Sequence, residues 1–396
     1  MKYACWIVLG SLFWVACQPA SEKDLLVAWQ GNKYGYINAD GEFVIRAQFA
    51  YALPFGDKDL AAVNVGGSSQ NGDFPTNGKW GFINKQGRFV INPQFFPPEN
   101  SKGHPFDPET LAMALHQGYE FSEGLAAVRM EKEWVYIDEK GKVVIRDARI
   151  RSARKFSNGL AAVYMDGGWG YIDTRGEEVI APMFKFPVEF SENSAFLMMK
   201  SGRRVLINTE GEQLFPQYRF QGGFHNGFAP VKAEFKKDGL PESEDLKMGI
   251  VDAKGKEKMR AIYDFISSPG DDRRLAPVQI GTEALDLVLM PDAPRPELDI
   301  HTYSGGKWGY VDTANQIVIN PVYDEAKPFS EGLAPVRRGT VWGYVDTNGQ
   351  EVIPAQFAWV GPFKNSVARV RMGAAANDYV GRYGYINPQG KVFWLE

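Results

Sequence analysis

One short phrase recurs along almost the whole chain, and that recurrence limits the possible folds more than any other feature. Its clearest form is FSNGLAAVYMDGGWGYIDTRGEEVIAPMF, from Phe156 to Phe184. The central WGYID element returns as Tyr34 to Asn38, Trp80 to Asn84, Trp134 to Asp138, Trp169 to Asp173, Arg204 to Asn208, Met248 to Asp252, Trp308 to Asp312, Trp342 to Asp346 and Tyr383 to Asn387, nine copies in all. Successive starts are 46, 54, 35, 35, 44, 60, 34 and 41 residues apart, so the unit is about 35 residues long with insertions. A module of that size cannot bury its own apolar face, and neighbouring copies must shelter one another.

Each unit reads as three strands. LAAVY and WGYID alternate with the period of two expected of strands, Trp169, Tyr171 and Asp173 on one face and Gly170 and Ile172 on the other, and EVI continues as a third strand. An FxxGLAxV element precedes the centre. It is plain at Phe121 to Val128, Phe156 to Val163, Phe224 to Val231 and Phe329 to Val336, and weaker at Phe55 to Val63, Phe190 to Leu197, Leu275 to Val278 and Phe363 to Val370; Leu25 to Trp29 serves the first copy. Between second and third strands lies a four-residue turn with Asp or Asn first in all nine copies and Gly last in eight, Asn315 replacing it in the other. This is type I turn chemistry: an Asx side chain bonds backbone two residues on, and a left-handed last residue favours Gly, then Asn. Because the turn accounts for the Asx series, and no neighbouring acid recurs with it, calcium sites are not expected there.

The phrase resembles the WG repeat family, named for pairs such as Trp80-Gly81, Trp169-Gly170, Trp308-Gly309 and Trp342-Gly343; in the third copy Trp134 is followed by Val135. The resemblance spans residues 25 to 396 and implies secreted or surface β repeats that mediate interaction, with no catalytic residue to carry over. The tryptophans have two readings. The favoured one packs each indole between units, and the other is an exposed aromatic ladder for sugar rings or peptides.

The N-terminus has its own signature. Met1 and Lys2 precede an apolar run from Tyr3 to Ala16, then Cys17 and the polar QPASEKD, the layout of a signal peptide. The run is shorter than the roughly twenty residues a membrane-crossing helix needs. Val15, Ala16 and Cys17 resemble the end of a bacterial lipobox, although Trp14 stands where Leu is usual. That resemblance implies cleavage after residue 16 and lipidation of Cys17. Gln18, rather than Asp, in the next position implies delivery to the outer membrane. The only other cysteine, Cys5, would leave with the signal, so no disulfide framework forms. The chain is thus expected to comprise a signal peptide (1–16), a lipidated tether (17–24) and the repeat array (25–396).

Insertions rich in Gly, Pro and polar residues interrupt the array at Gly66 to Gly78, Phe96 to Gly118, Glu234 to Leu246, Met290 to Gly306 and Met372 to Arg382. The second predicts a short helix, with Asp107 as cap, Pro108 at the first helical position and Gly118 at the end, and is the first candidate for a partner contact. The Pro-rich 290–306 stretch offers a break between six units and three.

The remaining chemistry narrows the function class. A formal charge of −4 without a basic block excludes an ordinary nucleic-acid binder. His104, His116, His225 and His301 lack metal-ligand spacing, and neither nucleophile elbow, P-loop nor dinucleotide fingerprint is present. No metal, cofactor or catalytic residue is expected. Aromatics at 13%, Gly 42 and Pro 24 suit short strands and tight turns. The expected fold is all-β, a tandem array of nine three-stranded repeats, open or superhelical, with a closed β-propeller as the alternative. The expected function is a non-enzymatic, lipid-anchored scaffold at the cell envelope that binds a protein or peptide, or alternatively a glycan. Changing Cys17→Ser should abolish acyl labelling and release the protein from the membrane fraction; unchanged fractionation and labelling would refute the anchor.

Overall fold

The structure is a computed structural model that describes residues 25–38, 40–56, 58–68, 75, 77–97, 118–232, 247–271, 275–284, 303–373 and 381–394. Cys17 and the helix expected after Asp107 lie outside these residues. The described part is all-β, with nine antiparallel sheets following one another in chain order. The fourth sheet shows the plan: Ser152–Ser157, Leu160–Met165, Gly168–Asp173 and Glu178–Phe184 pair in sequence order.

To the three strands expected of a unit the structure adds a fourth in six of the nine described sheets. The strand Phe43–Phe49 closes the first sheet and, one residue later, Tyr51–Ala52 opens the second by pairing with Leu60–Val65. The same handover joins Glu257–Tyr263 to Phe265–Ile266, Ile317–Tyr323 to Glu325–Ala326, and Glu351–Phe357 to Trp359–Val360. The strands flanking the 290–306 stretch, Ala276–Ala284 and Tyr303–Val311, pair with each other in the seventh sheet.

The Gly of the Trp-Gly pair has a steric cause. In the fourth sheet Tyr171 pairs with Ile180 but Trp169 pairs with Phe184, so the outer strand bulges between them. The bulge carries its backbone over Gly170, where a Cβ would stand 2.6 Å from the Ile180 carbonyl oxygen and 2.9 Å from the Pro182 nitrogen. Gly35, Gly81, Gly249, Gly309 and Gly343 sit under equivalent bulges. Val135 and Val205 replace the glycine where that bulge is missing. Val135 pairs in step with Arg146, and Arg204–Asn208 has no full strand on its far side, only a bridge from Ile207 to Gln213 and a bond from the Leu214 amide to the Leu206 carbonyl.

The turns form as expected. The Asp173 Oδ1 accepts from the amides of Arg175 and Glu177 at 2.9 Å, and Gly176 is left-handed at φ 85°. Asn315, the exception, is left-handed at φ 63°, and its Oδ1 accepts from the Arg260 amide of the preceding sheet at 3.0 Å.

Three devices recur at the junctions between sheets. A buried central Tyr donates its hydroxyl across the junction: Tyr36 to the Leu53 carbonyl, Tyr136 to Arg154, Tyr171 to Val188, Tyr310 to Lys327 and Tyr344 to Gly361, at 2.7 to 2.8 Å. A Phe before the next FxxG turn packs on the same ring, as in Tyr36–Phe55 at 4.8 Å and Tyr171–Phe190 at 5.0 Å. An acid or amide in that turn then caps the following one, Glu123 to Gly159, Glu192 to Gly227 and Glu331 to Asn365 and Ser366. These turn residues have φ near 50°.

The two ends of the row meet. Tyr385 of the ninth sheet donates to the Val27 carbonyl of the first at 3.3 Å, Tyr383 stands 6.4 Å from Trp29, and Gly41 rests on Phe393 as Gly176 rests on Ile145. Each sheet is open at its edges, but the described sheets complete a circuit, the arrangement offered above as the alternative.

Two outcomes follow from these contacts. Gly170→Ala should destabilise the protein by roughly 1–3 kcal/mol by forcing the bulged strand away, and an unaltered melting midpoint would contradict the steric account. Burial pushes the Tyr36, Tyr136, Tyr171, Tyr310 and Tyr344 phenols well above the usual 10.0. The folded state therefore holds those protons more tightly than the unfolded state does. This contribution to stability is complete below about pH 10 and lost as pH rises beyond it. Tyrosinate absorbance from these rings should appear only together with loss of β circular dichroism.

Candidate functional site

Strand direction sorts the loops onto two ends of the sheets. In the second sheet Leu60–Val65 runs away from its FxxG turn, and Lys79–Asn84 runs back into the Asx turn at Asn84. Asx and FxxG turns therefore share one end, held to short and uniform lengths. Every long insertion leaves from the other end: 66–78, 234–246, 290–306 and 372–382 join the two hairpin strands, and 96–118 follows the strand Phe89–Phe95. Much of their length lies outside the described residues, but their roots are in place.

Basic residues gather at this end: Lys33, Lys79 and Arg382 each open a central strand, Lys247 immediately precedes Met248–Asp252, and Lys307 stands just before Trp308 in Tyr303–Val311. The Lys79 Nζ stands 2.9 Å from the Phe96 ring centroid, and Lys247 pairs with Asp264. The Trp column lies here too. Trp80, packed between Tyr51 and Tyr119, is fully buried, Trp134 and Trp342 are buried, and Trp169 and Trp308 are half-buried. Gly81, Gly170, Gly309 and Gly343 lie beneath the outer strand and face no ligand space. Cations cover several aromatic faces: Arg154 lies 5.4 Å from Trp169, and Lys327 lies 4.5 Å from Trp342.

Between the seventh and eighth sheets, beside the root of the 290–306 insertion, the end opens into a cleft of about 1260 Å³. The seventh sheet contributes Phe265, Gln279, Ile280 and Trp308; Phe265 and Trp308 are 5.2 Å apart, and Phe265 and Ile280 are both exposed. The eighth contributes Asp324, Glu325, Lys327 and Arg337. Lys307 pairs with Asp324 at 2.5 Å, and Arg337 Nε donates to Glu325 Oε2 at 3.2 Å. The Gly339 amide also donates to Asp324 at 2.6 Å, so the Lys307 ammonium and this amide hold the Asp324 carboxyl below its usual range. The cleft thus combines an apolar shelf with oriented charges of both signs. Among the described residues no group of three or more His, Cys, Asp or Glu is placed to hold a metal ion.

Sequence reasoning found the Trp column and the insertions but missed Phe265, Asp324 and Glu325. The signal available was a short segment after each third strand, whose pairing partner lies in the following sheet.

The WG containing repeat matches at residues 34–68, 80–95, 136–169, 169–201, 206–234, 308–339 and 342–374. No relative of curated function matches the sequence. Among solved structures, the chain is similar to a eukaryotic initiation factor at 10% identity and TM-score 0.50, covering 93% of this chain and 94% of that one. The β-propeller domain of the Trilobed protease from Pyrococcus furiosus matches at 12% identity and TM-score 0.35, covering 88% and 98%. BamB from Moraxella catarrhalis matches at 10% and 0.32, covering 93% and 94%. At such identities the likeness concerns fold alone. With more than half its length matched by the repeat, the chain belongs to the WG containing repeat family.

Proposed function

We propose that this protein is a non-catalytic binding scaffold, exported and lipid-anchored through Cys17 at the cell envelope, in the outer membrane where there is one. Its insertion-bearing end takes an extended segment of a partner protein. The observation that carries the reading is the segregation of all five long insertions to the end that holds the cleft, while the opposite end keeps short turns. Loops on a rigid scaffold are where specificity sits, and an apolar shelf rimmed by charge is the usual make-up of a protein interface. The Phe265–Trp308 shelf would take an apolar side chain, and Asp324, Glu325 and Arg337 would set register through charge.

A glycan is the second reading, favoured by the same aromatic pair beside the Asp324 carboxylate. Burial of Trp80, Trp134 and Trp342 weighs against a continuous sugar-stacking ladder. A photo-crosslinking residue at Phe265, placed in the full chain on cells, should capture a reproducible protein partner. The charge reversal Glu325→Lys should weaken that capture about tenfold or more while changing the melting midpoint little, since a half-exposed ion pair contributes at most about 1 kcal/mol to stability. Absence of a reproducible protein, together with binding on a glycan panel that Phe265→Ala removes, would replace the peptide reading with the glycan one.

A further inference from the structure

One apolar surface takes no part in the cleft. In each of the first three sheets the third strand lies at an edge, and its first residues follow the Asx turn, at the end with the short turns. These residues are Phe43 and Val44, Phe89 and Val90, and Val143 and Val144. All but Val143 are between 37% and 50% exposed, so they form surface rather than core. The three strands stand side by side: Gly87 of the second sheet rests on Ile45 of the first, Gly141 of the third rests on Ile91 of the second, and the Phe89 ring meets Phe49 edge-on at 6.3 Å. The patch therefore runs across three sheets, and apolar surface of that extent marks a contact.

Cations edge the patch. Arg88 directly precedes Phe89, Lys142 directly precedes Val143, and Lys140 stands in the same turn as Lys142; all three are exposed. Glu139 in that turn is paired with Lys58 at 3.5 Å, and Glu42 precedes Phe43. Other sheets differ at these places. The fourth has Glu178 and Val179, the sixth Glu257 and Lys258, the eighth Glu351 and Val352, and the seventh Ile317 and Val318 after the neutral Gln316. Apolar side chains edged by Lys and Arg are the make-up of a surface that lies in the headgroup layer of a membrane.

The chain enters the array beside this patch. Leu26 pairs with Ile37, and Ile37 with Phe43, so the start of the first strand lies two strand spacings, roughly 10 Å, from the rim. Nine residues carry the chain from Cys17 to Leu26, a reach of at most about 32 Å. Leu26–Gln30 then runs away from this end, toward the insertions. On the reading that Cys17 is lipidated, we infer that the rim formed by Phe43, Val44, Phe89, Val90 and Val144 rests on the lipid surface that holds the acyl chains. A tether this short keeps the rim beside the bilayer at a high effective concentration, which a second copy arriving from solution lacks. The insertion-bearing end is thereby held away from lipid, open to a partner.

The test places the mature chain, its acylation measured by mass, in vesicles of phosphatidylethanolamine and phosphatidylglycerol. A fluorophore is attached at Val90→Cys, at Val144→Cys or, for comparison, at Val318→Cys, each in a chain whose melting midpoint is unchanged. A nitroxide carried on the lipid should quench the probes at Val90 and Val144 at least about threefold more than the probe at Val318, because the apolar side of such a surface enters the headgroup boundary by roughly 5–10 Å. Equal quenching at the three positions, or none at Val90 and Val144 in an acylated chain, would overturn the inference and leave the anchor standing. Shielding at Val90 that grows with protein concentration and owes nothing to lipid would overturn it in favour of a second copy. A chain that carries no acyl group would overturn the anchor, and the inference with it.

Discussion

Alternate side chains of each central strand enter two different cores, and the rest of the structure depends on that division. In the fourth sheet Ile172, Ala161 and Val163 pack with the third sheet, whereas Tyr171, Ala162 and Phe184 pack with the fifth. No sheet owns a core; the apolar layers lie between sheets, which is why units of about 35 residues are stable only in company. A two-faced sheet also has no solvent face to spare, so function is pushed to its ends and loops.

Close stacking demands exact spacing, and the repeat's signature residues supply it. The bulge brings the outer strand over the central glycine, and at four junctions the strand then passes into the next sheet after a single residue. The buried Tyr hydroxyls and the turn carboxylates cross the same junctions, satisfying polar groups that stacking would otherwise strand away from water. Such bonds fix orientation as well as adding stability. The ninth sheet reaches the first through the same kind of Tyr contact, at 3.3 Å and over a smaller core.

The asymmetry between ends has a physical origin. The Asx and FxxG turns are engaged by neighbouring sheets, through Glu123, Glu192 and Glu331 and through glycines resting on the preceding strand. Insertion there would break an intersheet contact. The hairpin loops at the other end carry no such obligation, so length and composition vary there, around a cleft with both apolar and charged groups.

Sequence alone determined the β repeat, the copy number, the Asx turns down to the left-handed Asn315, and the places of the insertions, because these are short-range matters of periodicity and backbone preference. It also suggested the tryptophans as packing residues, and Trp80, Trp134 and Trp342 are buried. What only the tertiary structure decided was how copies relate: the shared strand, the reason for the glycine, the meeting of first and last sheets, and the gathering of Phe265, Asp324 and Arg337 into one cleft. Those features join residues through space and across sheet boundaries, and no local pattern of apolar and polar residues encodes the angle at which one sheet lies on the next.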